Sequence, residues 1–549
     1  VGVDLRFHWS DFMTVRKYFF LISATVILFV CFAGIFRPHA LYALFFLIPL
    51  FLLGLYDVLQ RHSNILRNYP LLGHFRYILL KIRPQIRQYF VESEMEGTPY
   101  SHEQRMLIQE RGLKTNDNTP FGTLSNVYAP GYEWLTQSLA PKNIPDEEMK
   151  VVFGGDACTK PYTASRLNIS AMSFGALGGR AIMALNKGAK LGGFAHNTGE
   201  GGLTPYHLKN GGDIFMQVGT GYFGCRDRET GEFDAAMFTE KAQLDVVKMI
   251  EIKLSQGAKP AHGGVLPGAK VSAEIAAIRH VKEGVDCISP PAHSAFSTPL
   301  EMMAFIQQLR ELSGGKPIGF KLCLGVPSEF MAICKAMLKT GIYPDFITID
   351  GAEGGTGAAP VEFTNSIGVP LNEGLAFVNN CLVGMNVRDK VKVIASGKVV
   401  TGFDFAKKLA LGADCCNMAR PMMFSLGCVQ SRRCHNNTCP TGVATQDKAL
   451  GSALDVDSKA EQVCNFHEST LYNLREVLGA AGLEHPDQLL PSHIWRRLDN
   501  DLGMKSYAQL YKFLKPGALL DDGFDWHFSA DWHAASAESF SPIISKSIR

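Results

Sequence analysis

Three cysteines, Cys428, Cys434 and Cys439, fall within one stretch, GCVQSRRCHNNTCPTGVATQD at 427–447. Their spacing is C-x5-C-x4-C, and Pro440 follows the last of them. Thiolates hold iron–sulfur clusters, and cluster type follows ligand number. Three thiolates in one short loop suit a cluster with three irons. A fourth ligand is missing from the run, although Cys415 and Cys416 lie just upstream. Zinc is an alternative, but its sites favour closely spaced cysteine pairs and four ligands. Three incidental thiols are the plainest alternative. A second chemical signal is Lys321, flanked by apolar residues in GFKLC. A buried lysine is costly unless paired, so it needs a counter-charge or a route to solvent. A third is GAEGGTG at 351–357, whose glycines let backbone N–H groups approach an anion closely. A plain turn would read the same way.

The elements that must position these groups start near residue 167. Short apolar runs there alternate with helical stretches such as GRAIMALNKGAKL and TGFDFAKKLALGA. The runs are 167–174, 192–199, 213–220, 249–257, 317–325, 345–355, 391–397 and 414–421. Alternation of this kind predicts a parallel sheet, and eight repeats predict a closed (β/α)8 barrel. An open doubly wound sheet is the alternative. A ninth candidate, VDCIS at 285–289, runs into Pro290 and Pro291 and is read as a loop. In a barrel, working residues sit at the strand C-terminal ends and in the loops beyond them. Ser170-Ala171-Met172-Ser173 would close the first strand and Lys321 the fifth. Gly354-Gly355-Thr356-Gly357 would follow the sixth.

Ahead of the barrel, residues 18–36 are an apolar run of 19 residues, long enough to span hydrocarbon as a helix. A second run, Leu41–Tyr56, carries Pro49 and at roughly 24 Å is marginal in length. Together they predict an N-terminal transmembrane helical hairpin over 1–60. A signal peptide or a buried core hairpin is the alternative. Arg6, Arg16 and Lys17 precede the first run, only Arg37 separates the two, and basic residues crowd the region after the second. The positive-inside rule then puts both ends, and the barrel, on the cytoplasmic side of an inner membrane. The basic stretch 57–100 reads as membrane-surface helices or as a linker packed on the barrel. The predicted organisation is hairpin 1–60, linker and barrel lead-in 61–166, barrel 167–450, and helical extension with a polar tail 451–549.

Composition agrees with a globular protein carrying an apolar addition: 46% hydrophobic, 19% charged, net charge +2. That charge makes no case for nucleic acid. Thirteen cysteines without a small disulfide framework point to reduced thiols.

Five motifs share one order along the chain. They are ISAMSFGAL at 169–177, NTGEGG at 197–202, QGAKPAHGGVLPGAKV at 256–271, GAEGGTGAAP at 351–360 and CHNNTCPTGVATQD at 434–447. This series resembles the synthase domain of the glutamate synthase family over roughly 120–450, and most of all its short, membrane-anchored FMN-binding members. The glutaminase domain and the large C-terminal domain of full-length glutamate synthases have no counterpart in these residues. The resemblance implies FMN, a 3Fe–4S cluster on Cys428, Cys434 and Cys439, and a glutamate synthase-like oxidoreductase. Its substrates would be 2-oxoglutarate and ammonia, joined as 2-iminoglutarate and reduced to glutamate.

The same resemblance assigns the site residues. Ser170, Ala171, Met172 and Ser173 would lie against the flavin ring, with Lys321 at its N1–C2=O edge and Gln256 nearby. Gly354, Gly355, Thr356, Gly357, Ser396, Gly397, Lys398, Ala419 and Arg420 would hold the flavin phosphate near the last strands. Gln256, Lys259 and Arg279 would hold 2-oxoglutarate. A dicarboxylate needs two cationic or donor contacts, and arginine offers a fork. Glu200 would move a proton at the imine, with Lys259 and Lys321 completing the catalytic set. The expected electron donor is a ferredoxin or a membrane redox partner, and self-association is left open.

Departures fall near the substrate. KPAHGG has His262 where the family has an acid, and Leu203 follows NTGEGG where a second Glu is usual. They keep two alternatives open: a membrane-associated flavin and iron–sulfur dehydrogenase for another amino or keto acid, and a non-catalytic electron-transfer subunit. His293, in SPPAHSAF, is expected to face solvent.

Overall fold

Eight short strands close into a parallel barrel. They are β1 (Leu167–Ile169), β2 (His196–Asn197), β3 (Ile214–Val218), β4 (Val247–Lys253), β5 (Ile318–Leu322), β6 (Phe346–Asp350), β7 (Lys392–Ser396) and β8 (Cys415–Met418). The computed structural model describes residues 15–115, 117–499, 503–521 and 524–541. Each strand pairs in parallel with its sequence neighbour, and β8 pairs with β1 to close the ring. Seven of the eight predicted runs contain their strand, and the fourth, 249–257, starts two residues inside β4 (Val247–Lys253). Strands β3, β5 and β6 are buried at every residue, as a sheet covered on both sides requires.

An antiparallel hairpin, Lys150–Phe153 with Tyr162–Ser165, plugs the end where the strands begin. Val151, Phe153 and Ala164 from the hairpin join Phe215, Met249, Phe346 and Ile394 in one core cluster. The lead-in therefore caps the barrel bottom. The VDCIS segment does not enter the barrel. Its Cys287–Ile288 instead pairs antiparallel with Val265–Leu266 in a two-stranded excursion after β4.

The helix Val456–Ala480 packs on Gly179–Gly192, the helix after β1. A Cβ on Gly188 would lie 2.7 Å from Val463 Cγ1 and 2.8 Å from the Ala460 carbonyl, so only glycine allows this approach. The extension is thus part of the barrel's outer layer.

Contacts divide the chain into two compact units, Val1–His102 and Glu103–Arg549. In the first unit, helix α1 (Val15–Phe36) is followed by a 3-10 turn and helix α2 (Leu44–Leu59). Turn and helix join into a second apolar segment, Pro38–Leu59, of 22 residues, so it is longer than the sequence suggests. Both segments are long and apolar enough to cross a membrane, and only 6% and 11% of them is buried, unlike core helices. After them come Asn64–Asn68 and helix α3 (Leu72–Ile86). Arg6 and the polar tail from 542 onward lie outside the described residues.

Candidate active site

Side chains two apart on a strand share a face, so each barrel strand stacks its inward residues in layers. In β4 those residues are Met249, Glu251 and Lys253. The bottom layer is apolar. The middle layer is polar and closed on itself. Glu251 is fully buried, and its carboxylate accepts from Asn197 Nδ2 (2.8 Å), Gln217 Nε2 (2.6 Å) and Thr348 Oγ1 (2.7 Å). Above it, Lys321 Nζ stands 3.3 Å from Asp350 Oδ2, which also accepts from the Gly257 N–H at 3.0 Å. Burial pulls the Lys321 pKa down, but Asp350 and Glu251 outweigh it and hold the group above the ordinary lysine value. The expected lysine is therefore a paired ammonium at the barrel mouth.

Beside it opens a small cleft, lined by Glu200, Lys253, Gln256, Lys259, Ala261 and Pro291 among others. Lys253 Nζ lies 2.9 Å from Glu200 Oε1. Burial raises the Glu200 pKa, but Lys253, Arg279 and Lys259 together bring it below the usual range. The resting group is a carboxylate, a proton acceptor rather than a donor. Burial pushes Lys259 down to about 8, with Glu200 opposing and Lys253 adding to the fall. Its Nζ donates to the Ala358 carbonyl at 2.7 Å. Gln256 Nε2 is buried without a partner. A donor set of two lysines and an unspent amide suits a ligand carrying carboxylates.

Arg279 ends the helix Ala273–Arg279 and is buried. Its Nη2 donates to the Phe174 carbonyl (2.9 Å) and to Ser173 Oγ (3.3 Å), and its guanidinium lies over the Phe223 ring. Only Nε lacks a partner. Its fork therefore holds the end of the first strand's loop, and it acts on the cleft as a neighbouring charge.

The loop 170–173 is fixed from several sides. Ser170 Oγ and Ser396 Oγ are 3.2 Å apart, tying the ends of β1 and β7 together. Gly199 has φ +64°, and a Cβ there would lie 2.7 Å from the Ser173 N. The NTGE turn thus lies directly on the Met172–Ser173 backbone. Met172 is buried, and Ala171 and Ser173 are partly exposed.

Around the last strands, Gly397 and Lys398 have φ +147° and +42°. Arg420, just after Ala419, donates to the Glu353 carbonyl at 2.6 Å. A Cβ on Gly355 would lie 2.8 Å from Arg420 Cδ, so this turn runs directly against the Arg420 side chain, and Gly357 faces open space. Burial lowers the Lys398 pKa, and Arg420 lowers it further. Two cations thus converge on an exposed glycine-rich turn that includes Thr356, a fit for a phosphate.

Cys428, Cys434 and Cys439 lie in one loop and feel each other. Burial pushes the Cys428 thiol up to about 12, with Cys434 and Cys439 adding to the rise. For Cys439 burial is outweighed by the Thr441 hydroxyl and by N–H groups of Ala444, Thr441 and Val443, which favour a thiolate. Among the described residues no three His, Cys, Asp or Glu side chains stand at metal-holding distances. The donor chemistry fits a thiolate-held cluster, in which each thiolate would bind its own iron. Buried Lys270 braces the loop by donating to the carbonyls of Ala176 (2.6 Å), Ala444 (3.1 Å) and Cys434 (3.3 Å). Gln446 Nε2 adds bonds to the Leu177 and Gly175 carbonyls. The thiol loop is therefore fastened to the segment that continues from Ser170–Ser173.

His293 does not face solvent. The loop after Pro290-Pro291 folds inward, and His293 bonds the Lys253 carbonyl (2.9 Å) and the Tyr222 hydroxyl (3.1 Å). Burial pulls it down to about 4, so it stays neutral and supports Lys253. His262 stands between cleft residues Ala261 and Gly263, with a buried Nδ1 lacking a partner and its ring edge-on to Phe363. Leu203 is buried. Sequence reasoning missed Lys253, Asp350 and Lys270. A usable signal for the first was present: Glu251 and Lys253 interrupt the apolar run MIEIKL at a spacing of two.

The family described as a conserved region in glutamate synthase matches residues 138–484. The glutamate synthase large subunit-like protein YerD of Bacillus subtilis is 41% identical over 490 residues, 81% of this chain and 92% of that one. An archaeal glutamate synthase (NADPH) of Archaeoglobus fulgidus is 33% identical over 322 residues, 58% of this chain and 59% of its own length. Among solved structures, a flavocytochrome b2 variant with sulfite bound superposes with TM-score 0.41 at 12% identity, covering 83% of this chain and 92% of that one. A match across the whole barrel, on the motifs that build this mouth, places the chain in the glutamate synthase family, as a glutamate synthase-like oxidoreductase.

Proposed function

We propose that the chain binds FMN at the barrel mouth and reduces 2-iminoglutarate, formed from 2-oxoglutarate and ammonia, to glutamate. The observation that carries this reading is the cleft in which Lys253, Lys259 and the unpartnered Gln256 amide surround the Glu200 carboxylate. When bound, FMN supplies a hydride and a 3Fe–4S cluster supplies single electrons. The chain's residues do the rest. Lys321 and the 170–173 loop would hold the flavin ring, and Lys398, Arg420 and the 354–357 turn its phosphate. Lys259 and Gln256 would hold the keto-acid carboxylates, which fixes the imine carbon in one place. Glu200 would accept a proton as ammonia adds, since its carboxylate is ionised at rest. Cys428, Cys434 and Cys439 would hold the cluster. Its electrons would come from a ferredoxin or a membrane redox partner, and α1 and α2 would anchor the protein in the cytoplasmic membrane.

The test is a substrate panel on flavin-loaded protein with a chemical reductant. Oxidation of reduced flavin that requires both 2-oxoglutarate and ammonium supports the reading. Turnover with other acids but not 2-oxoglutarate overturns it. His262 and Leu203 favour a second reading, in which the same site oxidises another amino acid and passes electrons to a quinone. Reduction of the flavin by an amino acid other than glutamate would select it.

A further inference from the structure

We propose that residues 61–91 dock on an anionic lipid surface, with α3 lying in the membrane plane. This rests on reading α1 and α2 as membrane spans. Three observations carry it. The first is charge. Between Asp57 and Glu92 there is no acidic residue, while Arg61, Arg67, Arg76, Lys81, Arg83 and Arg87 all fall there. Such a run repels a basic partner and fits phosphate headgroups. The second is an uncovered stripe. Leu72, Phe75, Leu79, Ile82 and Ile86 recur at helical spacing on α3, and all are exposed, Phe75 by 65% and Leu79 by 55%. Arg76 and Arg83 stand one turn beyond Leu72 and Leu79, along one edge of that stripe, and Arg87 follows just past the helix end. An exposed apolar stripe beside a cationic one is the pattern of an interfacial helix.

The third observation fixes the depth. Asp57, in the last turn of α2, is fully buried. It accepts from the Leu71 N–H at 3.0 Å and from His74 Nε2 at 2.9 Å. Gln60 closes the intervening turn by donating to the Asp57 and Ser63 carbonyls and accepting from the Ser63 N–H. A Cβ on Gly73 would lie 2.8 Å from Leu66 Cδ2, so α3 starts hard against the turn. The clamp holds the first turn of α3 beside the end of the second span. That is where hydrocarbon gives way to headgroups. The apolar stripe then enters the acyl boundary and the cations meet phosphates.

The experiment is hydrogen exchange on the full chain, reconstituted in vesicles of phosphatidylcholine alone or with one-third phosphatidylglycerol. Amides of 72–91 are expected to exchange more slowly when phosphatidylglycerol is present. The triple variant R76Q/R83Q/R87Q is expected to lose that added protection by about 100-fold, the size expected for three cations removed from an anionic surface. Amides of α1 and α2 should stay protected throughout. Equal exchange of 72–91 in both vesicles, with α1 and α2 protected, overturns the docking proposal alone. Protection of 72–91 that survives in the triple variant and in detergent overturns it in favour of packing on protein. Free exchange in α1 and α2 overturns the spans and the docking together.

Discussion

Replacing Lys321 by Met removes the cation that two buried carboxylates share. Lys321 and Asp350 are 3.3 Å apart, with side chains only 6% and 11% exposed. At an effective dielectric of about 20 the pair attraction is about 5 kcal/mol. Desolvation offsets much of that while the pair is intact, but not once one partner is gone. Lys321→Met should therefore cost about 3–5 kcal/mol, because Asp350 and Glu251 are left buried and uncompensated. Asp350→Asn keeps an acceptor for the Gly257 N–H and leaves Lys321 with Glu251 as its remaining counter-charge in the barrel. The double variant should be less destabilised than the two singles summed, by about 1–3 kcal/mol. Urea denaturation of the four proteins, followed on the barrel transition, measures this. The folded pKa of Lys321 is raised. Its contribution is therefore full below the unfolded lysine value of about 10.4 and is lost only as pH rises through the folded value. The coupling should not change between pH 6 and pH 9. Single variants that add within about 0.5 kcal/mol, or a Lys321→Met protein as stable as its parent, would refute the reasoning.

Lys259 sits near 8, so its ammonium is lost as pH rises through that value. The apparent KM for 2-oxoglutarate should climb above pH 8, and Lys259→Met should raise KM and flatten the profile. Because the lysine's folded value lies below its unfolded one, its burial costs stability below pH 8, and that cost fades between pH 8 and about 10.5. Arg279→Met removes the bonds to Phe174 and Ser173. It should destabilise the barrel by about 1.5–3 kcal/mol and weaken flavin retention, read by melting and by flavin release on gel filtration. Cys434→Ser should abolish a 3Fe signal in electron paramagnetic resonance, while an unchanged iron content would count against the thiol loop as a cluster site. Glu251→Leu strands the Asn197, Gln217 and Thr348 donors and should cost about 2–4 kcal/mol, whereas Glu251→Gln should cost less.

What could be read from the chain was set by range. The barrel strands are continuous apolar runs buried on both sides, a signal carried by a few adjacent residues. The thiol loop and the glycine-rich turn were likewise legible because their residues are near neighbours. The second apolar segment was underestimated, because a 3-10 turn from Pro38 extends it and a bare hydropathy run does not show that. His293 was misjudged for the opposite reason. A proline-rich loop usually faces water, and its partners here, Tyr222 and the Lys253 carbonyl, are 71 and 40 residues away. The Lys321 counter-charges and the three-carbonyl cradle of Lys270 are also long-range facts. The charges that matter most were therefore visible as residues but not as pairs. Glu251 shows what joins the two kinds of evidence. Its alternation with Lys253 is local, yet it becomes a prediction of lumen chemistry only once the barrel is known. The barrel in turn sets which ends of the strands meet: at or just past those ends Ser170 reaches Ser396, and Lys253 reaches Glu200.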